Sequence, residues 1–195
     1  MSYLVISFSH KNLDIKQREK LAFNSDEEKA RFIRKLLEAQ TTSELVLLST
    51  CNRVEIIAKS SNIKQSSKNI IENLASYSSL DFEFLYDRAD IYDGDGAVHH
   101  LFSVASALDS LVIGETQIVG QLKDAFRFSQ SFGFCGEAMS KVMHYAFKCA
   151  CAGENCYKLG NRFCFSCIYC CCKSKRVSRR FKRCKCFSYR CWTYE

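Results

Sequence analysis

Short apolar runs alternate with amphipathic segments over the first 150 residues of the chain. The runs Tyr3–Phe8, Leu45–Leu48 and Val54–Ala58 have strand length and polar boundaries, so they predict β-strands, and Phe82–Tyr86 predicts a further short one. Helical spacing of apolar residues predicts helices over Asp14–Phe23, Asp26–Gln40, Ile63–Tyr77, Gly96–Val112, Thr116–Phe132 and Glu137–Cys149. Strands with helices come first and helices alone follow, so we predict an α+β domain that continues into a helical part.

A polar tetrad, Thr50-Cys51-Asn52-Arg53, separates the second and third predicted strands. One interpretation of Cys51 is structural, because free cysteines are usually small buried hydrophobic residues. The other is a nucleophile, because Arg53 lies two residues away and can favour the thiolate, the form that attacks carbonyl carbon. The tetrad alone leaves both interpretations open.

The segment from His99 to Gln121 is the second one that is dense in candidate chemistry. Gly114 can end one helix, and Glu115 or Thr116 can begin the next. At that helix N-terminus Thr116, Gln117 and Gln121 offer donors and acceptors to a small polar ligand. An ordinary helix–turn–helix with capping residues explains the same pattern. His99 and His100 fit either a surface pair or an acid/base group, since imidazole titrates near neutral pH.

Charge and cysteine content divide the chain near residue 150. Residues 151–195 hold 11 of the 28 basic residues, two of the 21 acidic residues and ten of the 13 cysteines. We therefore predict one domain over 1–150 and a separate tail without a stable fold over 151–195. No signal peptide or membrane-spanning run is evident, and the sparse cysteines of 1–150 favour a reducing cytoplasm. No ligand spacing for zinc occurs in 1–150.

The two dense segments together resemble one family. S-T-C-N-R-V-E at Ser49–Glu55 and the run His100–Gln121 are similar to glutamyl-tRNA reductase, the first committed enzyme of the five-carbon route to tetrapyrroles. Ser7–Leu21 and Ala146–Lys148 are similar to the same family. The resemblance covers about residues 1 to 150, and Thr116 stands where members of the family often have proline.

The resemblance implies a mechanism and a set of partners. Cys51 would attack the ester carbonyl of glutamyl-tRNA to give a thioester, and hydride from NADPH would then release glutamate 1-semialdehyde. His100 would support acyl transfer, and Arg53 would pair with the substrate carboxylate. The other residues implied to hold the glutamyl group are Thr50, Asn52, Ser110, Glu115, Thr116, Gln117 and Gln121. The family also implies a homodimer and glutamate 1-semialdehyde aminomutase as a further partner.

The tail does not match this family, in which a linker and an NADPH-binding Rossmann domain follow. It contains no glycine fingerprint for a pyrophosphate. A cysteine codon read one base later encodes valine or alanine, and Phe187–Thr193 read that way can give L-V-I-G-A-G, the start of a Rossmann glycine turn. We therefore predict a reading-frame slip near Cys149–Cys151, so that this chain lacks the NADPH domain and the hydride step.

A zinc-binding or basic RNA-binding module is the alternative explanation of the tail. The spacing of Cys164, Cys167 and Cys170 and the basic run Arg176–Lys185 support it. Crowded cysteines without a following histidine speak against zinc, and the basic run would bind RNA without sequence preference.

Overall fold

The computed structural model describes residues 2–109 and 117–158, with side chains described as far as residue 150. The strands are β1 Ser2–Ser9, β2 Thr42–Ser49, β3 Arg53–Ser60 and β4 Asp90–Asp93. The helices are α1 Ile15–Leu21, α2 Asp26–Glu38, α3 Ile63–Ser78, α4 Phe82–Arg88, α5 Gly94–Ala105, α6 Gln117–Ser131 and α7 Glu137–Lys158. The predicted α+β class is confirmed.

The four strands form one sheet in the order β2-β3-β1-β4, and every neighbouring pair is antiparallel. Helices cover both faces, and this explains why the strands read as nearly continuous apolar runs. Alternate residues of each strand enter different cores: Leu4 and Ile6 pack with α1 to α4, whereas Val5 packs with α5 to α7. Each fully buried aliphatic side chain contributes roughly 1.5–3 kcal/mol to folding.

The predicted strand at Phe82–Tyr86 is wrong, because these residues form helix α4. Asp81 caps this helix by accepting a hydrogen bond from the backbone N–H of Phe84 at 3.0 Å. The strand that the pattern missed is β4, which follows directly and pairs with β1 at the edge of the sheet. Its ends are aspartates, so it lacks the apolar signature of the three longer strands.

The helix predicted over Gly96–Val112 is shorter in the structure and begins earlier, since α5 spans Gly94–Ala105 and a turn occupies 106–109. Ala107 in that turn has a φ of 54°, in the left-handed region. The predicted helix end at Gly114 lies outside the described residues. The backbone of α7 continues as a helix to Lys158, past the predicted boundary at 150.

The open end of the β2–β3 hairpin is joined to α7 by Glu44. Its Oε2 accepts hydrogen bonds from the backbone N–H groups of Gly136 at 2.9 Å and Met139 at 2.8 Å, and its Oε1 pairs with Lys59 at 3.1 Å. A carboxylate at a helix N-terminus satisfies donors that the helix leaves unpaired. Among residues 2–109 and 117–158, no helix is long and apolar enough to cross a membrane.

Candidate active site

Cys51 lies in the tight turn that joins β2 to β3, and it is exposed. The turn is closed by the Thr50 backbone N–H, which donates to the Arg53 carbonyl at 2.9 Å. The Thr50 hydroxyl oxygen also accepts from the N–H groups of Asn52 at 3.3 Å and Arg53 at 3.1 Å. A hydroxyl that bonds the two following residues is a common way to fix a turn, so the backbone that carries the thiol is held locally.

Two hydrogen bonds from residues outside the turn hold the carbonyl groups of Cys51 and Asn52. The backbone N–H of His10, just after β1, donates to the Asn52 carbonyl at 3.1 Å. The Nε of Arg18, on α1, donates to the Cys51 carbonyl at 3.3 Å. The turn is therefore fixed from the sheet and from a helix while its sulfur faces solvent.

Arg53 is the first residue of β3 and is 2% exposed. One guanidinium nitrogen donates to Oε1 of Glu55 at 2.7 Å and to Oδ2 of Asp109 at 3.3 Å. The other donates to the backbone carbonyl of Asp109, whose carboxylate also pairs with Lys11. The positive charge of Arg53 is thus shared between two carboxylates directly behind the Cys51 turn.

Glu55 joins Arg53 to His100. Its Oε1 accepts from the Ser7 hydroxyl at 2.8 Å and lies 3.0 Å from Nε2 of His100, and Ser7 stands opposite Glu55 in the β1–β3 register. Because a carboxylate can only accept, this contact selects the tautomer of His100 that carries hydrogen on Nε2. The His100 ring stacks on Tyr92 at 4.2 Å between centroids, so its orientation is fixed on two sides.

The charges of this cluster are set by burial and by the neighbouring groups. Burial alone would raise the pKa of Glu55, but the hydrogen bond and charge of His100 and the charge of Arg53 outweigh it and hold the pKa below the usual value. Burial likewise opposes ionisation of Asp109, yet Lys11 and Arg53 hold its pKa low. Both carboxylates are therefore anionic at neutral pH.

His10 lies beside this cluster and stays neutral at neutral pH. Burial lowers its pKa, and the positive charges of Lys11, Arg53 and Arg18 lower it further. Its Nδ1 is buried and has no hydrogen-bond partner among the described residues. The surroundings of the Cys51 turn are consequently rich in cations, with one uncharged imidazole among them.

The structure brings together some of the residues that the sequence singled out. Cys51, Arg53 and His100 meet at one end of the sheet through Glu55, and Thr50 and Asn52 belong to the same turn. Gln117 and Gln121 lie at the surface of the first turns of α6. Ser110, Glu115 and Thr116 lie outside the described residues. His99 is exposed, in contrast to its buried neighbour His100.

Sequence reasoning missed the groups that connect these residues. Ser7, Glu55 and Asp109 were not singled out, although Glu55 and Asp109 contact predicted site residues and the Ser7 hydroxyl donates to Glu55. Glu55 left a detectable signal, because it is a charged residue inside an apolar strand and shares a strand face with Arg53, two positions away. Arg18 left no such signal in the sequence, because its contact with Cys51 joins residues 33 apart in the chain.

The described residues fit neither a metal ion nor a dinucleotide. Among the side chains of residues 2–109 and 117–150, no group of three His, Cys, Asp or Glu residues could hold a metal ion. The strands described here are all antiparallel, whereas a dinucleotide-binding Rossmann unit needs parallel strands joined by a glycine-rich turn and a helix. This part of the chain therefore does not fit NADPH.

Comparison with known proteins identifies the family. The family model described as "Glutamyl-tRNAGlu reductase, N-terminal domain" matches residues 6–154. Glutamyl-tRNA reductase of Aliarcobacter butzleri is 74% identical over 160 residues, which is 82% of this chain and 37% of that protein. The enzyme of Campylobacter concisus is 52% identical over 155 residues, 80% of this chain and 36% of that protein. The chain belongs to the glutamyl-tRNA reductase family.

A solved structure agrees with this assignment. Glutamyl-tRNA reductase from Methanopyrus kandleri matches with a TM-score of 0.62 and 30% identity, over 78% of this chain and 34% of that one. The match covers the N-terminal part of the enzyme. The chain spans little more than a third of the length of the curated relatives it matches, 37% of one and 36% of another.

Proposed function

We propose that Cys51 accepts the glutamyl group of glutamyl-tRNA. The thiolate sulfur attacks the ester carbonyl carbon, a carbon–sulfur bond forms, and the bond from that carbon to the terminal ribose oxygen breaks. The ribose oxygen takes up a proton, so the products are an enzyme thioester and free tRNA. One observation carries the proposal: a solvent-exposed cysteine stands on a fixed turn, with a buried arginine at the start of the next strand.

Arg53 is the proposed partner of the substrate carboxylate. A guanidinium has five N–H donors, and a planar carboxylate can use two of them at once. Asp109 engages both terminal nitrogens of Arg53 in this structure, so an incoming carboxylate competes with Asp109 for these donors. The remaining proposed contacts to the glutamyl group are those of Thr50, Asn52, Ser110, Glu115, Thr116, Gln117 and Gln121.

His100 is proposed to support acyl transfer by orientation. Its Nε2 faces Glu55 and its ring stacks on Tyr92, so the imidazole helps to hold the carboxylate that in turn holds Arg53. Loss of His100 would leave Glu55 with a weaker hold on Arg53 and would loosen the carboxylate-binding position behind Cys51.

In the family the thioester is reduced by hydride from NADPH to give glutamate 1-semialdehyde, an intermediate of tetrapyrrole synthesis. The described part of this chain does not fit NADPH, so we propose that the chain stops at the thioester or lets water release glutamate. A homodimer, an association with glutamate 1-semialdehyde aminomutase and a cytoplasmic location are parts of the same proposal, and they rest on the family alone.

We further infer a one-base slip of the reading frame near Cys149–Cys151. The tail that follows is rich in cysteine and basic residues, and Phe187–Thr193 read one base later can give a segment typical of the family. Sequencing the DNA across these codons and downstream tests this directly, with one extra or missing base expected relative to intact relatives. A frame aligned with the relatives throughout would contradict it and would favour the zinc- or RNA-binding tail.

Acylation with labelled glutamate tests the function. The full chain is mixed with glutamyl-tRNA carrying a radiolabelled glutamyl group, and protein-bound label is measured after acid precipitation and ribonuclease treatment. We expect label on the parent and on Cys135→Ser, the matched control, and none on Cys51→Ser. Label that survives in Cys51→Ser, or a parent that takes up none, would overturn the proposal.

A further inference from the structure

Arg18 contacts the backbone of the proposed nucleophile from a separate element. It lies with Leu21 on the buried face of α1 and is 7% exposed. Its Nε donates to the Cys51 carbonyl at 3.3 Å, and one terminal nitrogen donates to the Leu13 carbonyl just before the helix. One side chain therefore connects α1, the loop that leads into it and the Cys51 turn.

The other bonds that fix this turn are of a different kind. Thr50 belongs to the turn, and His10 holds the Asn52 carbonyl through its backbone N–H rather than its side chain. Among the described residues, Arg18 is the side chain from outside the turn that holds the Cys51 carbonyl. Without the Arg18 side chain, the backbone of Cys51 would be held only indirectly, through the hydrogen bonds of Thr50, Asn52 and Arg53.

The charge of Arg18 also differs from that of the other nearby cations. Arg53 is paired with Glu55 and Asp109, and Lys11 is paired with Asp109. Among the described residues, Arg18 makes no ion pair within 4.0 Å with a carboxylate, and its hydrogen-bond partners are neutral carbonyls. A buried guanidinium held by neutral carbonyls keeps its full charge beside the backbone of Cys51.

We propose that Arg18 is a positioning residue for Cys51: it holds the turn so that the sulfur meets the substrate carbonyl, and it places a positive charge beside the residue that carries the sulfur. Its part in acyl transfer rests on the proposed function above. Its effect on the reactivity of the thiol does not, because a small alkylating reagent reports on that reactivity without any tRNA.

Three variants of the full chain test the proposal: Arg18→Gln, Arg18→Lys and the control Arg31→Gln, an exposed arginine on α2. Thermal melting establishes which variants fold. Single-turnover acylation by glutamyl-tRNA over a range of concentrations separates the maximal rate from the half-saturating concentration. Iodoacetamide modification of Cys51, followed by mass spectrometry of the peptide that contains it, gives the alkylation rate apart from the other cysteines.

Arg18→Gln is expected to lower the maximal acylation rate by roughly 10- to 100-fold, with a half-saturating concentration within about twofold of the parent value, because misplacement of a reacting group affects mainly the rate. Alkylation of Cys51 is expected to slow in the same variant. Arg18→Lys, which keeps the charge without the planar fork, should recover alkylation but not acylation. Arg31→Gln should match the parent in both.

A folded Arg18→Gln with parental rates in both assays would overturn the inference, and a change in half-saturating concentration alone would show a binding role instead. If Arg18→Gln does not fold, Arg18→Lys tests the inference instead, and an acylation rate in Arg18→Lys equal to that of the parent would overturn the inference. If the parent itself forms no thioester, the proposed function fails, whereas the alkylation rates still decide whether Arg18 acts on the thiol.

Discussion

The two ends of the β2–β3 hairpin are built from similar groups and have different properties. At the turn end stand Cys51 and the carboxylate Glu55, which accepts from Arg53. At the open end stand Cys135 and the carboxylate Glu44, which pairs with Lys59. Each end thus combines a thiol, a buried carboxylate and a cation. The arrangement of these groups, rather than their identity, separates the end proposed to react from the end that holds the fold.

The surroundings at the open end keep the Cys135 thiol protonated. Burial, together with the negative charge of Glu44, raises the pKa of Cys135 to about 12, and its sulfur donates to the Leu45 carbonyl at 3.6 Å. At the turn end the Glu55 carboxylate faces Arg53 of the same strand and His100 of α5, and Cys51 is exposed on a fixed backbone. A carboxylate next to the thiol makes it inert, whereas a carboxylate directed at cations leaves the thiol beside positive charge.

The largest expected effect is the difference in reactivity between these two thiols. At pH 8 a thiol with a pKa of about 12 is almost entirely protonated, and the greater nucleophilicity of its thiolate offsets only part of this, so Cys135 should react with iodoacetamide roughly 100-fold more slowly than the exposed Cys51 in the folded chain. Mass spectrometry of the two peptides over time measures both rates. The same labelling in concentrated urea is the control, since both peptides should then react at similar rates; a folded-state ratio near one would contradict the comparison.

The next effect compares the two carboxylates by matched substitutions. Glu55→Gln leaves a buried arginine with a weaker partner and should lower the free energy of unfolding by about 3 kcal/mol. Glu44→Gln retains an oxygen that can accept from the N-terminus of α7 and loses an ion pair with the partly exposed Lys59. The free energy of unfolding should therefore fall by only about 1 kcal/mol. Urea unfolding followed by circular dichroism measures both, and equal losses would show that the turn end is not the more tightly coupled one.

The sequence predicted most of the fold because its signals are local. Continuous apolar runs marked β1 to β3, and helical spacing marked α2, whose first turn is capped in the structure by the Ser25 side chain, which accepts from the N–H of Glu28. The exception was Phe82–Tyr86, where a five-residue apolar pattern fits either element and the Asp81 cap decides for a helix. Polar β4 offered no pattern to find.

The candidate site was predictable only in part, for a related reason. Cys51 and Arg53 lie two positions apart in one polar tetrad, so the local sequence predicted both. The family resemblance predicted His100. Their connections join distant positions: His100 meets Glu55 across 45 residues, and Asp109 meets Arg53 across 56. Such pairings depend on strand register and on how α5 packs against the sheet, and local periodicity predicts neither of these.

The smallest expected effect is the dependence of the Glu55 contribution on pH. Because the pKa of Glu55 in the folded chain lies below its usual value of 4.5, its ionised form stabilises the fold fully above that value, and this contribution is lost as the pH falls through the lower folded pKa. The difference in unfolding free energy between the parent and Glu55→Gln should therefore be constant from pH 8 to pH 6 and should narrow at pH 3. Urea unfolding at these pH values measures it, with Asp109→Asn as a second variant because Asp109 also faces Arg53. A difference that is unchanged at pH 3 would mean that shape, rather than charge, holds Glu55 between Arg53 and His100.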